Sequence, residues 1–150
     1  MGALVDTSVL IDVERVARET DGDFGPLLAR SLEDTLDVEE EVAISAVTAS
    51  ELLHGVHRAA PQHRPRREAF VEGILATIPA IPFDLRAART HARIWADLAS
   101  SGSDIGPHDR LIAATAISLG WRVLTANTRR FAAVPGLDVV TPDPRPTGNS

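Results

Sequence analysis

Ala3-Leu4-Val5-Asp6-Thr7-Ser8-Val9-Leu10 stands almost at the amino terminus, and its reading decides the fold. Three apolar residues in a row, with no polar alternation, fit a strand covered on both faces, as in a parallel sheet. At Asp6 the chain turns polar. Asp6, Thr7 and Ser8 all suit the cap of a helix, whose apolar spacing then runs over 8–18. A buried strand thus ends on a carboxylate at the mouth of a helix. In an open parallel sheet, ligands collect at such places, beyond the carboxyl ends of the strands and beside helix amino termini.

The rest of the chain repeats the alternation. A helix is predicted over 26–34, a short strand over 42–44 and a helix opening near Thr48. A basic, proline-broken loop over 58–67 leads to a helix over 68–76, and 78–81 reads as a strand that Pro79 pushes to a sheet edge. Over 84–99, Leu85, Ala88, Ala92, Trp95 and Ala99 form an apolar stripe opposite Arg86, Arg89, Arg93 and Asp97. After a loop over 102–106, Pro107 suits a first helical position and Gly120 caps that helix; strands follow over 122–125 and 137–140. The acid run over 33–41 reads as a solvated connection. Such alternation gives an α/β class with a mostly parallel sheet. One domain over 1–141 is expected, then a flexible tail over 142–150, where Pro142, Pro144, Pro146 and Gly148 leave nothing to bury.

Composition narrows the chemistry. The 150 residues are 44% hydrophobic, enough for one domain with a real core. The net charge of -6 opposes nucleic-acid binding through bulk electrostatics, although a nucleic-acid enzyme can be acidic overall. All 15 basic residues are arginine, so Schiff-base chemistry and a phosphate loop ending in Gly-Lys are excluded. With no cysteine, neither a disulfide nor a thiolate metal site is available. No run of about 18 apolar residues occurs, so neither a signal peptide nor a membrane span is expected, and the protein reads as soluble and cytoplasmic.

Three acids fall at corresponding places in this pattern. Asp6 follows the first strand, Glu51 sits in the turn opening the helix after the second, and Asp109 opens the helix before the fourth. Asn127 lies just past that fourth strand. Singly, each has a plainer role. Asp6 can cap a helix, Thr48-Ala49-Ser50-Glu51 has the pattern of a capping box, Asp109 gains from a helix dipole, and Asn127 suits a turn. Jointly, they can converge on one cation. If two carboxylates meet within about 4 Å, they repel by about 4 kcal/mol at an effective dielectric near 20, so a proton or a cation must enter. Oxygen donors favour Mg²⁺ or Mn²⁺ over Zn²⁺. Asp104 is an alternative to Asp109, but the helix behind Asp109 fixes its direction and supplies backbone donors for anions.

The segments Leu4-Val5-Asp6-Thr7-Ser8-Val9-Leu10, Ser45 to Glu51, Asp109-Arg110-Leu111-Ile112-Ala113-Ala114-Thr115-Ala116 and Leu124-Thr125-Ala126-Asn127 together resemble a PIN domain, specifically the VapC-type toxins of bacterial toxin-antitoxin pairs. The resemblance runs from Leu4 to about Pro142, with the landmarks in the family's order. It implies a three-layer α/β/α fold and a metal-dependent endoribonuclease in which Asp6, Glu51 and Asp109 hold Mg²⁺ or Mn²⁺. It further implies a 5′-phosphate product, a cognate antitoxin as partner, RNA as substrate and a homodimer. Asp6 and Asp109 are expected as direct ligands, Glu51 as a ligand or water-positioning base, and Asn127 as a hydrogen-bond partner of a coordinated water. In such a site the ion activates water and neutralises phosphate charge. One departure stands out: many PIN domains carry an aspartate just before the phenylalanine matching Phe131, and here that residue is Arg130. One firmly bound ion is therefore expected, with a second arriving only with substrate phosphate.

Rival classes fit less well. A receiver-like module would need paired acids after the first strand and a lysine, and a two-aspartate phosphatase would need a second acid where Thr7 and Ser8 stand. Glu51-Leu52-Leu53-His54 has the spacing of a helical di-iron ligand pair, but occurs once where two copies are needed. His54 and His57 therefore read as ordinary helix residues, and His108, beside Asp109, as a solvent-exposed helix start with contact to a phosphate as the alternative. Arg58, Arg64, Arg66 and Arg67, with Arg110, Arg129 and Arg130, are candidates to grip RNA backbone. A PIN-like domain that binds RNA or protein without cutting remains the alternative that the substitution at Arg130 keeps alive.

Overall fold

The computed structural model describes residues 1–143. Most of the tail expected over 142–150 thus lies outside the described residues. The strands are β1 (Gly2–Val5), β2 (Glu41–Ser45), β3 (Ala80–Ile81), β4 (Arg122–Leu124) and β5 (Val139–Val140). The helices are α1 (Thr7–Glu19), α2 (Phe24–Glu33), α3 (Ala46–Arg58), α4 (Arg64–Thr77), α5 (Leu85–Ser101) and α6 (Pro107–Leu119), with a 3₁₀ turn at Thr128–Phe131.

All strand pairs are parallel, in the order β3-β2-β1-β4-β5. The apolar opening strand is therefore the middle of the sheet, with Leu4 opposite Ala43 on one side and Val123 on the other. Side chains alternate across the pleat. Ala3, Val5, Ile44 and Leu124 face a core formed with Leu10, Val13, Leu52 and Val71, so α1, α3 and α4 cover that face together with α2. Leu4, Ala43 and Val123 face the opposite core, built with Ile94, Leu98 and Ile112 from α5 and α6. Ala3, Leu4 and Val5 are all fully buried, which explains why this strand lacks polar alternation. The expected three-layer α/β/α architecture is present.

From β1 the chain steps outward through β2 to β3, then crosses back to place β4 on the other side of β1. The order thus reverses between β1 and β4, and a crevice opens at their carboxyl ends. The edge position foreseen for the strand after Pro79 is observed for β3.

Several local expectations need correction. Helix α3 begins at Ala46, not near Thr48, because Ser45 caps it: the Ser45 hydroxyl accepts from the Thr48 amide at 3.0 Å. Thr48 is consequently inside the helix, its hydroxyl accepting from Ser45 at 3.2 Å, and no capping box forms with Glu51. The basic loop is shorter than expected, since α4 starts at Arg64 with proline in its first turn, where a missing amide donor costs nothing. On α5 the buried residues are Ala87, Ile94 and Leu98, while Leu85 and Trp95 are exposed. The buried face lies one position before the expected stripe of Ala88, Trp95 and Ala99. In the acid run, Glu40 is not merely solvated, because Arg122 donates to it at 2.6 Å and to the Thr35 carbonyl at 3.1 Å.

The Ser45 cap anchors the helix that carries Glu51, and both Ser45 and Thr48 are buried. Ser45→Ala should lower unfolding free energy by about 1–2 kcal/mol, leaving the Thr48 amide without an acceptor. A urea midpoint shifted to lower concentration at constant slope would register this; an unshifted midpoint would contradict it.

Candidate functional site

Asp6 occupies the junction of β1 and α1, and its amide donates to the Leu124 carbonyl at 2.8 Å, tying the junction to the end of β4. Its side chain is fully enclosed. Oδ2 accepts from Ser8 Oγ at 2.6 Å, Thr125 Oγ1 at 3.0 Å and Arg130 Nη1 at 2.8 Å. Oδ1, equally buried, has no partner among the described residues. Buried carboxylate oxygens rarely go unbonded, so this atom is an acceptor in search of a donor or a cation.

Asp109 lies in the first turn of α6 behind Pro107, and it is buried. The Arg130 guanidinium forks onto it, donating from Nε to Oδ2 at 3.1 Å and from Nη2 to Oδ1. One guanidinium therefore bridges Asp6 and Asp109. These hydrogen bonds, Asp109's first, hold Arg130 still further above its ordinary pKa.

Glu51 projects from α3 towards the same crevice. Oε1 accepts from Thr7 Oγ1 at 3.4 Å, and Oε2 lies 3.9 Å from His108 Nδ1. Burial, followed by the Asp6 charge, pushes its carboxyl above the ordinary 4.5, with Asp109 acting in the same sense; His108 and Arg130 act in the opposite one. Glu51 thus senses both other acids, although the three come from distant segments.

Asn127 is exposed and opens the 3₁₀ turn, its amide donating to Thr125 Oγ1 at 3.2 Å; its side chain does not cap the turn. Asp104 is exposed, whereas Asp109 is buried and bonded. His54 and His57 are exposed on α3. Arg110 turns away from a backbone-gripping role: it donates to the Ile105 carbonyl at 3.1 Å and lies over the Trp95 ring at 5.1 Å. Arg58, Arg64, Arg66 and Arg129 are exposed.

Sequence reasoning missed Ser8 and Thr125 as partners of Asp6, and the inward turn of Arg130. For Ser8 and Thr125 a signal existed: each stands at or just past the carboxyl end of an expected strand, as the candidate acids do. Among the described residues, no three His, Asp or Glu side chains are drawn together tightly enough to enclose an ion. The guanidinium stands between two of them instead. The donor chemistry nevertheless fits a hard dication, since every candidate ligand atom is an oxygen and Asp6 Oδ1 is unbonded.

The profile of the PIN domain family matches residues 3–137. Ribonuclease VapC1 of Rickettsia felis is 35% identical over 144 residues, covering 94% of this chain and 96% of that protein. Among solved structures, the DNA-bound VapBC of Salmonella typhimurium is similar with a TM-score of 0.76 and 27% identity, over 94% of this chain and 98% of that one. VapBC-5 of Mycobacterium tuberculosis, a member of the VapBC family of toxin-antitoxin systems, gives a TM-score of 0.69 and 32% identity, over 94% of this chain and 99% of that one. A profile match and a relative that both run nearly end to end, on the fold and crevice just described, make this chain a member of the PIN domain family.

Proposed function

We propose that the chain is a Mg²⁺- or Mn²⁺-dependent endoribonuclease, the toxin of a toxin-antitoxin pair. The observation carrying this is the meeting of the Asp6 and Asp109 carboxylates on a single cationic group at the reversal point of the sheet, with the buried Asp6 Oδ1 unbonded. Relatives called ribonucleases and neighbours called toxin-antitoxin systems support the substrate and the setting.

Asp6 and Asp109 would hold the ion, with Glu51 as a third ligand or as a base. When bound, a dication neutralises charge on the scissile phosphate and makes water a better nucleophile near neutral pH. The chain's own groups do the rest. Ser8 and Thr125 fix the Asp6 carboxylate through Oδ2 and so leave Oδ1 for the ion. The raised pKa of Glu51 brings it nearer the range in which a carboxylate accepts a proton from attacking water. The exposed amide of Asn127 stands at the rim, available to a solvent molecule or a phosphate oxygen.

Partners have surfaces to cover. An apolar groove of about 540 Å³ opens between α2 and α4, lined by Phe24, Leu28, Leu32, Phe70 and Ile74, and on the opposite layer Leu85 and Trp95 are exposed. Exposed apolar surface of this kind favours association, in keeping with an antitoxin and a second copy of the chain. A second reading, an RNA- or protein-binding domain without cleavage, is favoured by one observation: Arg130 fills the space between the acids.

Purified protein incubated with RNA separates the two. Cleavage should require Mn²⁺ or Mg²⁺ and stop with EDTA. Asp6→Asn and Asp109→Asn should each reduce it by about 10²-fold or more while circular dichroism stays unchanged. Full cleavage by both variants would refute the assignment.

Glu51 offers a test in metal-free protein. Because its folded pKa is raised, the folded state keeps this proton longer than the unfolded one. Its contribution therefore turns unfavourable as pH rises from about 4.5 through the folded value. In EDTA, Glu51→Gln should gain stability over the parent across that rise, with no gain below it. Parallel urea midpoints from pH 4 to 7 would count against the raised pKa.

A further inference from the structure

The Arg130 side chain is placed as a substitute cation. Its Nη1 donates to Asp6, its Nε and Nη2 to Asp109, and these are the two carboxylates assigned to an ion. Asp6 is wholly enclosed and Asp109 nearly so, while the Arg130 side chain is 31% exposed. The cation therefore sits at the boundary, with its donors pointing inward and its stem reaching solvent. Behind it, Phe131 is fully buried and pins the single turn Thr128–Phe131 to the core, so that the arm has a fixed root. Asn127, Thr128 and Arg129 around that root are exposed and leave room for the arm to swing outward.

Resting on the nuclease reading above, we infer that Arg130 is a displaceable latch: its guanidinium and a divalent ion occupy the same place between Asp6 and Asp109, and loading the ion swings the guanidinium out towards the substrate phosphate.

Three features carry this. Arginine cannot lose its proton in a protein, so it cannot make way for a dication by becoming neutral, as a lysine or histidine could. It has to move. Next, the latch satisfies its acceptors incompletely, because Asp6 Oδ1 is left unbonded while Oδ2 takes three donors. That oxygen is enclosed while the guanidinium is in place, so an ion that displaces the arm gains an acceptor the arm leaves unused. Finally, the fork that fits a carboxylate fits a phosphate equally well, so the released arm has a partner of the right shape at the rim. The ion and the RNA would then bind cooperatively, each removing a cost to the other.

Mn²⁺ affinity can be followed by calorimetry or by the resonance of the free ion, with no turnover, in the intact chain and in Arg130→Met, which keeps the stem and removes the charge. The variant should bind Mn²⁺ about tenfold or more tightly, and a non-cleavable RNA analogue should raise affinity about fivefold more in the parent than in the variant. The parent alone supplies a second readout, independent of how the variant folds. The Arg130 Nε–H signal should be protected from solvent exchange in EDTA and lose that protection on saturation with Mg²⁺. Protection that survives Mg²⁺ saturation, or equal Mn²⁺ affinities in the two proteins, overturns the latch while leaving the nuclease reading in place. If neither protein binds Mn²⁺ or Mg²⁺, both readings fall.

Discussion

Asp6 is an acid held out of water at the end of the central strand, close to a second acid and within the field of a third. An ionised carboxylate can occupy such a place only with hydrogen bonds and a compensating positive charge. Everything distinctive about the crevice answers that requirement. Two hydroxyls, from Ser8 and Thr125, and one guanidinium supply Oδ2. The same guanidinium serves Asp109 through two of its nitrogens, so a single residue offsets two buried negative charges.

The sheet creates this requirement and also makes it useful. Because β1 is covered on both faces, its residues are apolar to the last position, and the first polar group the chain can offer appears where the strand emerges. The reversal of strand order between β1 and β4 keeps helices from covering that point. Asp109 arrives there on the first turn of α6, where the helix dipole favours its charge, and Glu51 arrives on α3, whose start is fixed by Ser45. A crevice of ionised acids is costly to stability on its own, and function would be the reason to retain it.

The legible part of the chain was the part governed by local pattern. The Ala3-Leu4-Val5 run, the acid after it, and the order of strands and helices follow from period and capping, and the structure reproduces them to within a few residues. Errors arose where tertiary packing overrode pattern. Trp95 was read as core because it is large and apolar, but Ile94 and Leu98 supply the buried face of α5. The start of α3 was misplaced because Thr48 carries the more familiar capping pattern, whereas Ser45, the last residue of β2, is the cap. Arg130 was legible as a missing acid and as a candidate grip on RNA backbone, not as a partner of the two aspartates. Nothing in the local sequence says that a side chain of one 3₁₀ turn folds back onto residues 21 and 124 positions earlier. The apolar groove between α2 and α4 was equally invisible, since it exists only once both helices are packed.

The exclusive use of arginine gives this compensation a property that lysine could not. An ammonium is a point charge: it could balance one carboxylate well or two poorly, and burial would draw its pKa down towards neutrality. A guanidinium is planar and divided, so Nη1 reaches Asp6 while Nε and Nη2 grip Asp109, and its charge persists at every pH at which the fold exists. In the absence of metal the guanidinium thus supplies the positive charge that lies against both carboxylates. What the arm gains in permanence it forfeits in adaptability, because displacement is the one way it can leave the acids uncovered.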